Sequence, residues 1–340
     1  MKKLTAILLF LAMCISLAAC TGNNSGAGAT TLEDKTAAAY TAVDIKIASL
    51  KGPTGMGMAK LISDAGKGTT ANKYTFSLES DPTQVAALIS SGSVDIAACP
   101  LNLAASLYKK TNGNVQMLAV NTLGVLYILE NGTTIKSISD LRGKTIYATG
   151  QGSTPEYILN YILTENSLEP GRDVTIEYLS EHSELTAKAA SGDADVCMLP
   201  EPNVTTALAK NKSLRVALDL TEEWEKLSAT DGGKLAQGCI VVNKAFAKEN
   251  AAAIKKFLEE YKASVDFINN NMDEASAIIA EQEIVPSAQI AKAAIPNCNI
   301  TLITGEQMKS IAQQNLSVLF KADPKSVGGA IPDGNFYYTA

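Results

Sequence analysis

A short pattern that recurs one hundred positions apart constrains the fold of this chain more than any other feature. Residues 91–100 read SGSVDIAACP and residues 191–200 read SGDADVCMLP, so both fit S-G-x-x-D-[IV]-x-x-x-P. Each copy follows an Ala-rich run of helical character. The recurrence indicates a duplicated structural unit, with chance repetition of a common helix–glycine–strand unit as the alternative.

The order of residue types in each copy predicts a helix, a tight turn, a buried strand and then a loop. Gly92 and Gly192 fall where a helix ends in a left-handed residue, which glycine adopts without a Cβ clash. The apolar runs that follow end at Pro100 and Pro200, because proline cannot donate to a strand ladder. Ligands of open α/β sheets bind at the carboxyl ends of strands. We therefore expect two similar α/β lobes whose ligand-binding edges face each other.

The N-terminus has the order of a secretory signal. Two lysines precede an apolar run over 4–19, which ends in Leu-Ala-Ala-Cys at Cys20. This order is typical of a signal peptide over 1–19, and the run is too short to span a membrane comfortably. Its end also resembles a bacterial lipobox, which implies lipidation of Cys20, with ordinary secretion as the alternative. Residues 20–43 are polar and Gly-rich, as expected of a tether. The chain is thus predicted to be extracytoplasmic and anchored to the cell membrane by its N-terminal lipid.

Charge and cysteine content exclude several kinds of site. The net charge is −6, and the three arginines of the chain form no cluster, so nucleic-acid binding is not expected. None of the cysteines has the spacing of metal ligands, so no metal or cofactor is expected. Buried free thiols are the preferred interpretation, with a Cys239–Cys298 disulfide as the open alternative. The cysteines that remain after signal cleavage and lipidation are Cys99, Cys197, Cys239 and Cys298.

Two predicted strands lead into similar glycine-rich turns. The strand over 44–50 is followed by KGPTGMG, and the strand over 145–149 is followed by GQGSTPE. Each turn places glycines, a hydroxyl residue and a proline at the start of a helix. Backbone N–H groups at such a helix end suit an anionic or polar group, although neither turn has the lysine of a phosphate-binding P-loop.

Two further predicted strands connect the lobes. The strand over 125–130 leads out of the first lobe, and the strand over 238–243 feeds an amphipathic helix with apolar residues at helical spacing from Ile254 to Ile268. The first lobe is therefore assigned to 44–129 plus 238–340, and the second to 130–237.

These residues together resemble a known family. DLRGKTIYATGQGSTPEYIL, which begins at Asp140, together with the SG-x-ADV-x-x-LPEP segment and the lipobox, resembles the solute-binding lipoproteins of ABC importers. Within these, the chain looks like the nitrate, sulfonate, taurine and thiamine-precursor branch, over 44–325. The resemblance implies the type II periplasmic-binding fold, an α/β fold of two lobes joined by two hinge crossings around a ligand cleft. It also implies capture of a small organic solute for an ABC permease and its ATPase. A monomer is expected.

The expected ligand contacts are the loops at strand ends. The helix starts at Thr54 and at Ser153 and Thr154 are expected to face each other and to suit a carboxylate, a sulfonate or a ring carbonyl. No arginine lies in these loops, which weakens the case for nitrate or for a sulfonate held by a guanidinium. The candidates are Pro53, Thr54, Gly55, Met56, Ser80, Pro100, Asn102 and Asn121 from the first lobe, and Gln151, Gly152, Ser153, Thr154, Pro200 and Glu201 from the second.

Three more residues leave alternatives open. Glu201 either accepts a hydrogen bond from an amine or ring N–H of a ligand, or caps the helix over 203–210. His182, the only histidine, is expected to be a surface or capping residue rather than a catalyst. Trp224 is expected to pack at the hinge rather than to stack on a ligand.

Two other functions compete with solute binding for transport. An enzyme on the same fold is possible because fold does not settle function, but the export signal, the single histidine and the absence of metal spacing argue against it. A ligand-sensing or adhesive surface lipoprotein is the second alternative. Neighbouring permease and ATPase genes would distinguish an importer component from a sensor.

Overall fold

The strands of the described residues form two separate sheets. The computed structural model describes residues 40–227 and 233–339, so the predictions for the signal peptide, Cys20 and the tether up to residue 39 lie outside the described residues. The strands are β1 Asp44–Leu50, β2 Lys73–Glu79, β3 Ile96–Pro100, β4 Val115–Leu123, β5 Leu126–Asn131, β6 Thr145–Thr149, β7 Thr175–Leu179, β8 Val196–Pro200, β9 Leu214–Asp219, β10 Ala236–Asn243 and β11 Ile300–Ile303.

Helices cover both faces of both sheets. Four short 3-10 helices also occur within the described part of the chain, at Ile138–Leu141, Ile295–Asn297, Pro324–Val327 and Gly334–Phe336. The α-helices are α1 Pro53–Met56, α2 Ala59–Gly66, α3 Pro82–Ser90, α4 Leu101–Lys110, α5 Thr154–Glu165, α6 His182–Ser191, α7 Asn203–Lys210, α8 Leu220–Leu227, α9 Lys244–Glu249, α10 Ala251–Asn270, α11 Met272–Glu281, α12 Ala288–Ala294 and α13 Gly305–Ala322.

The two sheets repeat one strand order. The first runs β2-β1-β3-β10-β4-β11, and the second runs β7-β6-β8-β5-β9. The first three strands of each sheet are parallel, and the fourth, β10 or β5, pairs antiparallel with both of its neighbours. The predicted fold class, two α/β lobes joined by two crossings, is therefore confirmed. Among the strands of the described residues, only β11 has no counterpart in the second sheet.

The recurring sequence pattern occupies equivalent places in the two lobes. Gly92 and Gly192 adopt φ values of 72° and 86°, as the pattern predicted. The backbone carbonyls of Asp95 and Asp195 then accept hydrogen bonds from the N–H groups of Asn243 and Asn131, at 2.8 and 2.7 Å. Those asparagines end β10 and β5, the antiparallel strands that follow the two crossings between the lobes. Each copy of the pattern therefore holds the end of the crossing strand of its own lobe.

Alternate residues of the strands enter cores on opposite faces of the sheets. In the first sheet, Ile96 and Ile240 pack in one cluster with α10, whereas Cys99 and Cys239 pack in the other with α4 and α13. Strands buried on both faces need near-continuous apolar runs, which is why the sequence shows such runs rather than alternation. The second sheet is likewise covered by α5 and α8 on one face and by α6 and α7 on the other.

The lobes join at β4–β5, at the segment that leads into β10, and along α13. The Asn315 side chain in α13 accepts from the Ala236 N–H at 3.1 Å and donates to the Lys234 carbonyl at 2.8 Å. A Cβ on Gly124, which lies between β4 and β5, would stand 2.1 Å from Thr221 Oγ1. The sequence placed the start of the second lobe at residue 130, but β5 already pairs in the second sheet from Leu126. The predicted lobe boundaries as a whole stay predictions.

Three local expectations have outcomes in the described residues. Trp224 lies in helix α8 and is buried against Tyr161, with ring centroids 4.9 Å apart, in the second-lobe core. Trp224 thus packs within the second-lobe core, and its expected place at the hinge stays a prediction. All four described cysteines are free and buried. The Cys239–Cys298 alternative is wrong, because the two residues belong to different core clusters.

Candidate functional site

The β6–α5 turn is shaped by its glycines and by Ser153. Gly150 and Gly152 adopt φ values of 80° and 71°, which a larger residue would adopt only with strain. The Ser153 hydroxyl donates to the Gly150 carbonyl at 2.6 Å, so it braces the turn and has no proton left for a ligand. Pro155 follows in the first turn of α5, where its fixed φ favours a helix start.

Thr154 gives this helix start an unused polar group. The residue is 8% exposed, and its Oγ1 atom is buried without a hydrogen-bond partner. Buried hydroxyls are usually paired, so an unpaired one at a strand's carboxyl end indicates a place for a ligand or water. Helix α5 has 12 residues, and its dipole favours negative charge at this end.

The same turn already holds a carboxylate. The Gly152 N–H donates to Glu156 Oε2 at 2.5 Å. The turn can therefore bind an oxyanion through backbone N–H groups, as expected at a helix N-terminus. Gln151 and Gly152 are exposed, and Ser153 is half-buried.

The equivalent turn of the first lobe is built differently. Helix α1 is a single turn, and the N–H groups of Gly55 and Met56 both donate to the Gly52 carbonyl, at 3.0 and 2.9 Å. Met56 is fully buried in the core, and a Cβ on Gly55 would stand 2.5 Å from the Leu50 carbonyl oxygen. These two residues therefore present no open surface, although the sequence suggested them as ligand contacts.

Asn121 braces α1 from β4. Its side chain is completely buried, and its Nδ2 donates to the Thr54 carbonyl at 3.4 Å. A Cβ on Gly238 would stand 2.7 Å from Asn121 Oδ1, so glycine is needed there for close approach. The structure thus brings together Asn121 and Thr54, two of the predicted contacts.

The other predicted contacts lie where the strands end. Ser80 is exposed between β2 and α3, Pro100 ends β3, and Asn102 is half-buried in the first turn of α4. Pro53 begins α1 and Pro200 ends β8. Their role as ligand contacts stays a prediction.

Glu201 caps a helix and also reaches the first lobe. Its carboxylate accepts from Thr205 Oγ1 at 3.0 Å and from the Thr205 N–H at 3.2 Å, which is the capping alternative of the sequence. Asn297 of the first lobe donates to the same carboxylate at 3.4 Å. Burial raises the pKa of Glu201, and these hydrogen bonds oppose the rise only in part.

Two tyrosines make further contacts between the lobes. The Tyr127 hydroxyl donates to the Asn297 carbonyl, and the Tyr157 hydroxyl donates to Asp323 Oδ2, both at 3.0 Å. Burial, then the Asp323 carboxylate, raises the pKa of Tyr157 to about 12. No sequence pattern marked Asn297 or Asp323, because their partners lie far away along the chain.

His182 is placed as a structural residue. It is the first residue of α6, and its Nδ1 lies 2.6 Å from the hydroxyl of Thr149, the last residue of β6. The residue is exposed at the surface, as expected, although neighbouring groups partly shield the imidazole from water and so lower its pKa, which Glu181 opposes. Within 40–227 and 233–339, no group of His, Cys, Asp and Glu side chains is arranged to hold a metal.

Two cavities open elsewhere, in the first lobe. Their volumes are about 340 and 510 Å³, and residues of α10, the start of α13 and the C-terminal segment line them. None of the predicted ligand contacts takes part in either cavity. No helix in the described ranges has the length and apolar character to cross a membrane.

Comparison with known proteins decides the family. A model of the family described as "ABC transporter, phosphonate, periplasmic substrate-binding protein" matches residues 68–291, well over half of the chain. The chain belongs to this family. It is thus the substrate-binding component of an ABC transporter and acts outside the cytoplasm, which confirms the function predicted from the sequence. No curated protein sequence is significantly similar to this substrate-binding protein.

Solved structures share the fold of this substrate-binding protein. An ABC transporter protein from Parabacteroides distasonis is 24% identical, with a TM-score of 0.74 over 87% of this chain and 98% of its own. The periplasmic aliphatic sulphonate binding protein SsuA from Escherichia coli is 20% identical, with a TM-score of 0.68 over 85% and 92%. The periplasmic nitrate-binding protein NrtA from Synechocystis PCC 6803 is 12% identical, with a TM-score of 0.57 over 84% of each chain.

Proposed function

We propose that this substrate-binding protein holds an organic ligand by one oxyanion group placed at the start of α5. The observation that carries the proposal is the buried, unpartnered hydroxyl of Thr154 at the N-terminus of a 12-residue helix. This hydroxyl and the helix dipole together favour a negative group at this point. The Gly152 N–H would join them if it exchanged the Glu156 carboxylate for the ligand.

The surroundings support an oxyanion that is bound without arginine. The Gly152 N–H already donates to a carboxylate oxygen, and the three arginines of the chain lie outside the candidate loops. The description of the family names phosphonate, and the names of two solved proteins of the same fold include sulphonate and nitrate. Phosphonates and sulfonates with an organic body are therefore the first ligands to test, followed by carboxylates.

The lobes would close on this ligand across a cleft between their strand ends. Of the predicted contacts, those with open surface in the first lobe (Pro53, Thr54, Ser80, Pro100 and Asn102) and those from Gln151 to Glu201 in the second would line it. The buried Gly55, Met56 and Asn121 would support the first-lobe side from behind. Contacts of Asn297 with Tyr127 and Glu201 already link the lobes. A ligand biases closure only by its greater affinity for the closed state.

We also propose how the protein works in the cell. Lipid on Cys20 would anchor a monomer to the outer face of the cell membrane, and a tether would let it reach an ABC permease and its ATPase. The ligand would be released unchanged, without catalysis.

A thermal-shift screen tests the ligand assignment. The panel holds methylphosphonate, 2-aminoethylphosphonate, alkanesulfonates, taurine, small carboxylates and nitrate, and a ligand at about a hundredfold its Kd stabilises by about 2.7 kcal/mol. Thr154→Val should weaken a hit about 10–100-fold, because a hydrogen bond to a charged group contributes about 1.5–3 kcal/mol. Its ligand-free Tm should not fall, since the hydroxyl has no protein partner.

Thr164→Val is the matched control, because Thr164 lies exposed near the end of the same helix. It should leave both the Tm and the ligand shift unchanged. An oxyanion hit that binds Thr154→Val as tightly as the wild type would overturn the assignment of α5. If no compound of the panel raises the Tm, the proposed ligand class would be overturned.

A further inference from the structure

Two of the buried cysteines stand directly opposite each other in the first sheet. Cys99 of β3 and Cys239 of β10 are partners in the antiparallel register. Both are 0% exposed and belong to the same core cluster, so their side chains lie on the same face of the sheet. The Cys239 Sγ lies 3.6 Å from the Cys99 carbonyl oxygen.

This arrangement meets the distance requirement of a disulfide. Directly opposed residues of antiparallel strands have Cα atoms about 4.5–5.5 Å apart, and disulfides join Cα atoms about 4.4–6.8 Å apart. The other two described cysteines lie in two different clusters, away from this pair: Cys197 in the second lobe and Cys298 on the other face of the first sheet.

The compartment of the protein decides which state the pair takes. Substrate-binding proteins of this family act outside the cytoplasm, where disulfides form and persist. In the folded chain, burial and then the neighbouring Cys99 thiol raise the pKa of Cys239 well above its ordinary value. Since the thiolate is the reactive form, oxidation would have to occur while the chain folds and the thiols are still exposed.

We propose that Cys99 and Cys239, which are free thiols in this structure, form a cross-strand disulfide in the exported protein. One thiolate attacks a sulfur of an external disulfide, either a small-molecule disulfide or an exported oxidoreductase, and releases one thiol of that oxidant. The second cysteine, as thiolate, then attacks the mixed disulfide and releases the other thiol. The two cysteines lose two electrons and two protons, and the oxidant's disulfide is reduced to two thiols.

The bond would fasten a crossing strand to the edge of the candidate site. Cys99 immediately precedes Pro100, and Cys239 immediately follows Gly238 in β10. This inference depends on the extracytoplasmic location of the family and not on the identity of the ligand, so the two proposals fail independently.

Mass spectrometry of the exported chain tests the disulfide. The full chain, with its own leader, is produced in an exporting bacterial host, unfolded in denaturant with N-ethylmaleimide but no reductant, and digested. We expect modified peptides for Cys197 and Cys298 and one linked pair of peptides that contain Cys99 and Cys239. Reduction before alkylation should convert that pair to two modified peptides.

Two outcomes would overturn the proposal: modification of Cys99 and Cys239 without reductant, or a linkage between any other pair. Cys99→Ala and Cys239→Ala should each leave the remaining partner open to N-ethylmaleimide, whereas Cys197→Ala should leave the linked pair intact. The central result comes from the wild-type chain and does not require any variant to fold.

Discussion

The two lobes share a strand order but differ where their strands end. In the second lobe, a 12-residue helix begins at Thr154 with an unpartnered hydroxyl. In the first, the single turn of α1 directs two N–H groups at the Gly52 carbonyl, and Asn121 holds the Thr54 carbonyl. A duplicated topology thus places equivalent turns at equivalent strand ends, but the local residues decide which turn has donors left for a ligand.

The ends of the crossing strands differ as well. β5 ends in Glu130 and Asn131, and β10 ends in Val242 and Asn243. The asparagines make the same backbone contact in each lobe. At the preceding position, the second lobe buries a carboxylate where the first buries an apolar side chain. The second lobe should therefore depend on pH in a way that the first does not.

Glu130→Gln should have the largest effect on stability. The carboxylate accepts from Thr134 and Ile135 and pairs with Arg215 at 2.5 Å. Breaking a buried pair costs about 3–5 kcal/mol, and since the Arg215 side chain is 35% exposed, we expect about 2–3 kcal/mol in urea unfolding. Glu259→Gln, at an exposed ion pair, should cost less than about 0.5 kcal/mol.

The pH dependence of this effect has a definite sign. Burial would raise the pKa of Glu130, but the hydrogen bonds from Thr134, Ile135 and Arg215 outweigh it and hold the pKa below the ordinary value of 4.5. The stabilisation is therefore present above about pH 4.5 and is lost as the pH falls through the lower, folded-state value. An unchanged difference between wild type and Glu130→Gln on acidification would contradict this account.

Gly124→Ala should have the next largest effect, at the first crossing between the lobes. The added Cβ would stand 2.1 Å from Thr221 Oγ1 and 2.9 Å from Leu235 Cδ2, and overpacking of this kind costs about 1–3 kcal/mol. Gly66→Ala, in α2 with open space around it, should be neutral or stabilising by up to about 1 kcal/mol. Equal unfolding midpoints for the two variants would show that this crossing is not closely packed.

Glu201→Gln should change the stability less than Glu130→Gln does. The pH dependence of its effect should be opposite in sign to that of Glu130→Gln. Burial raises the pKa of Glu201, so its stabilising contribution is full below about pH 4.5 and is lost as the pH rises through the folded-state value. The wild type should lose stability relative to the variant over that range. The loss should be about 1.4 kcal/mol for each pH unit by which the folded-state pKa of Glu201 exceeds its ordinary value. A constant difference across the titration would contradict burial of the charged carboxylate.

Much of the fold could be predicted because the strands are apolar runs with clear stops. The Gly and Pro positions of the recurring pattern located β3 and β8. β11 was missed because it is a four-residue edge strand with an irregular register. Helix α8 was not predicted because its buried residues, Leu220, Thr221 and Trp224, are few.

The candidate site was less visible in the sequence. The glycine-rich turns located Thr54 and Thr154, but composition did not reveal that the Thr154 hydroxyl is both buried and without a partner, whereas Thr54 is only half-buried. Asn297 meets Glu201, and Asp323 meets Tyr157, only after folding joins distant segments. The wrong Cys239–Cys298 alternative has the same cause, since strand register places Cys99 opposite Cys239.

The most direct test of the difference between the lobes is calorimetric titration of two valine variants with the strongest oxyanion from the screen. Thr54→Val should change the affinity less than about threefold, because the first-lobe contact observed at this residue is made by its backbone carbonyl. Thr154→Val should lose about 10–100-fold. Equal losses, or a larger loss in Thr54→Val, would contradict the claim that the second lobe holds the oxyanion.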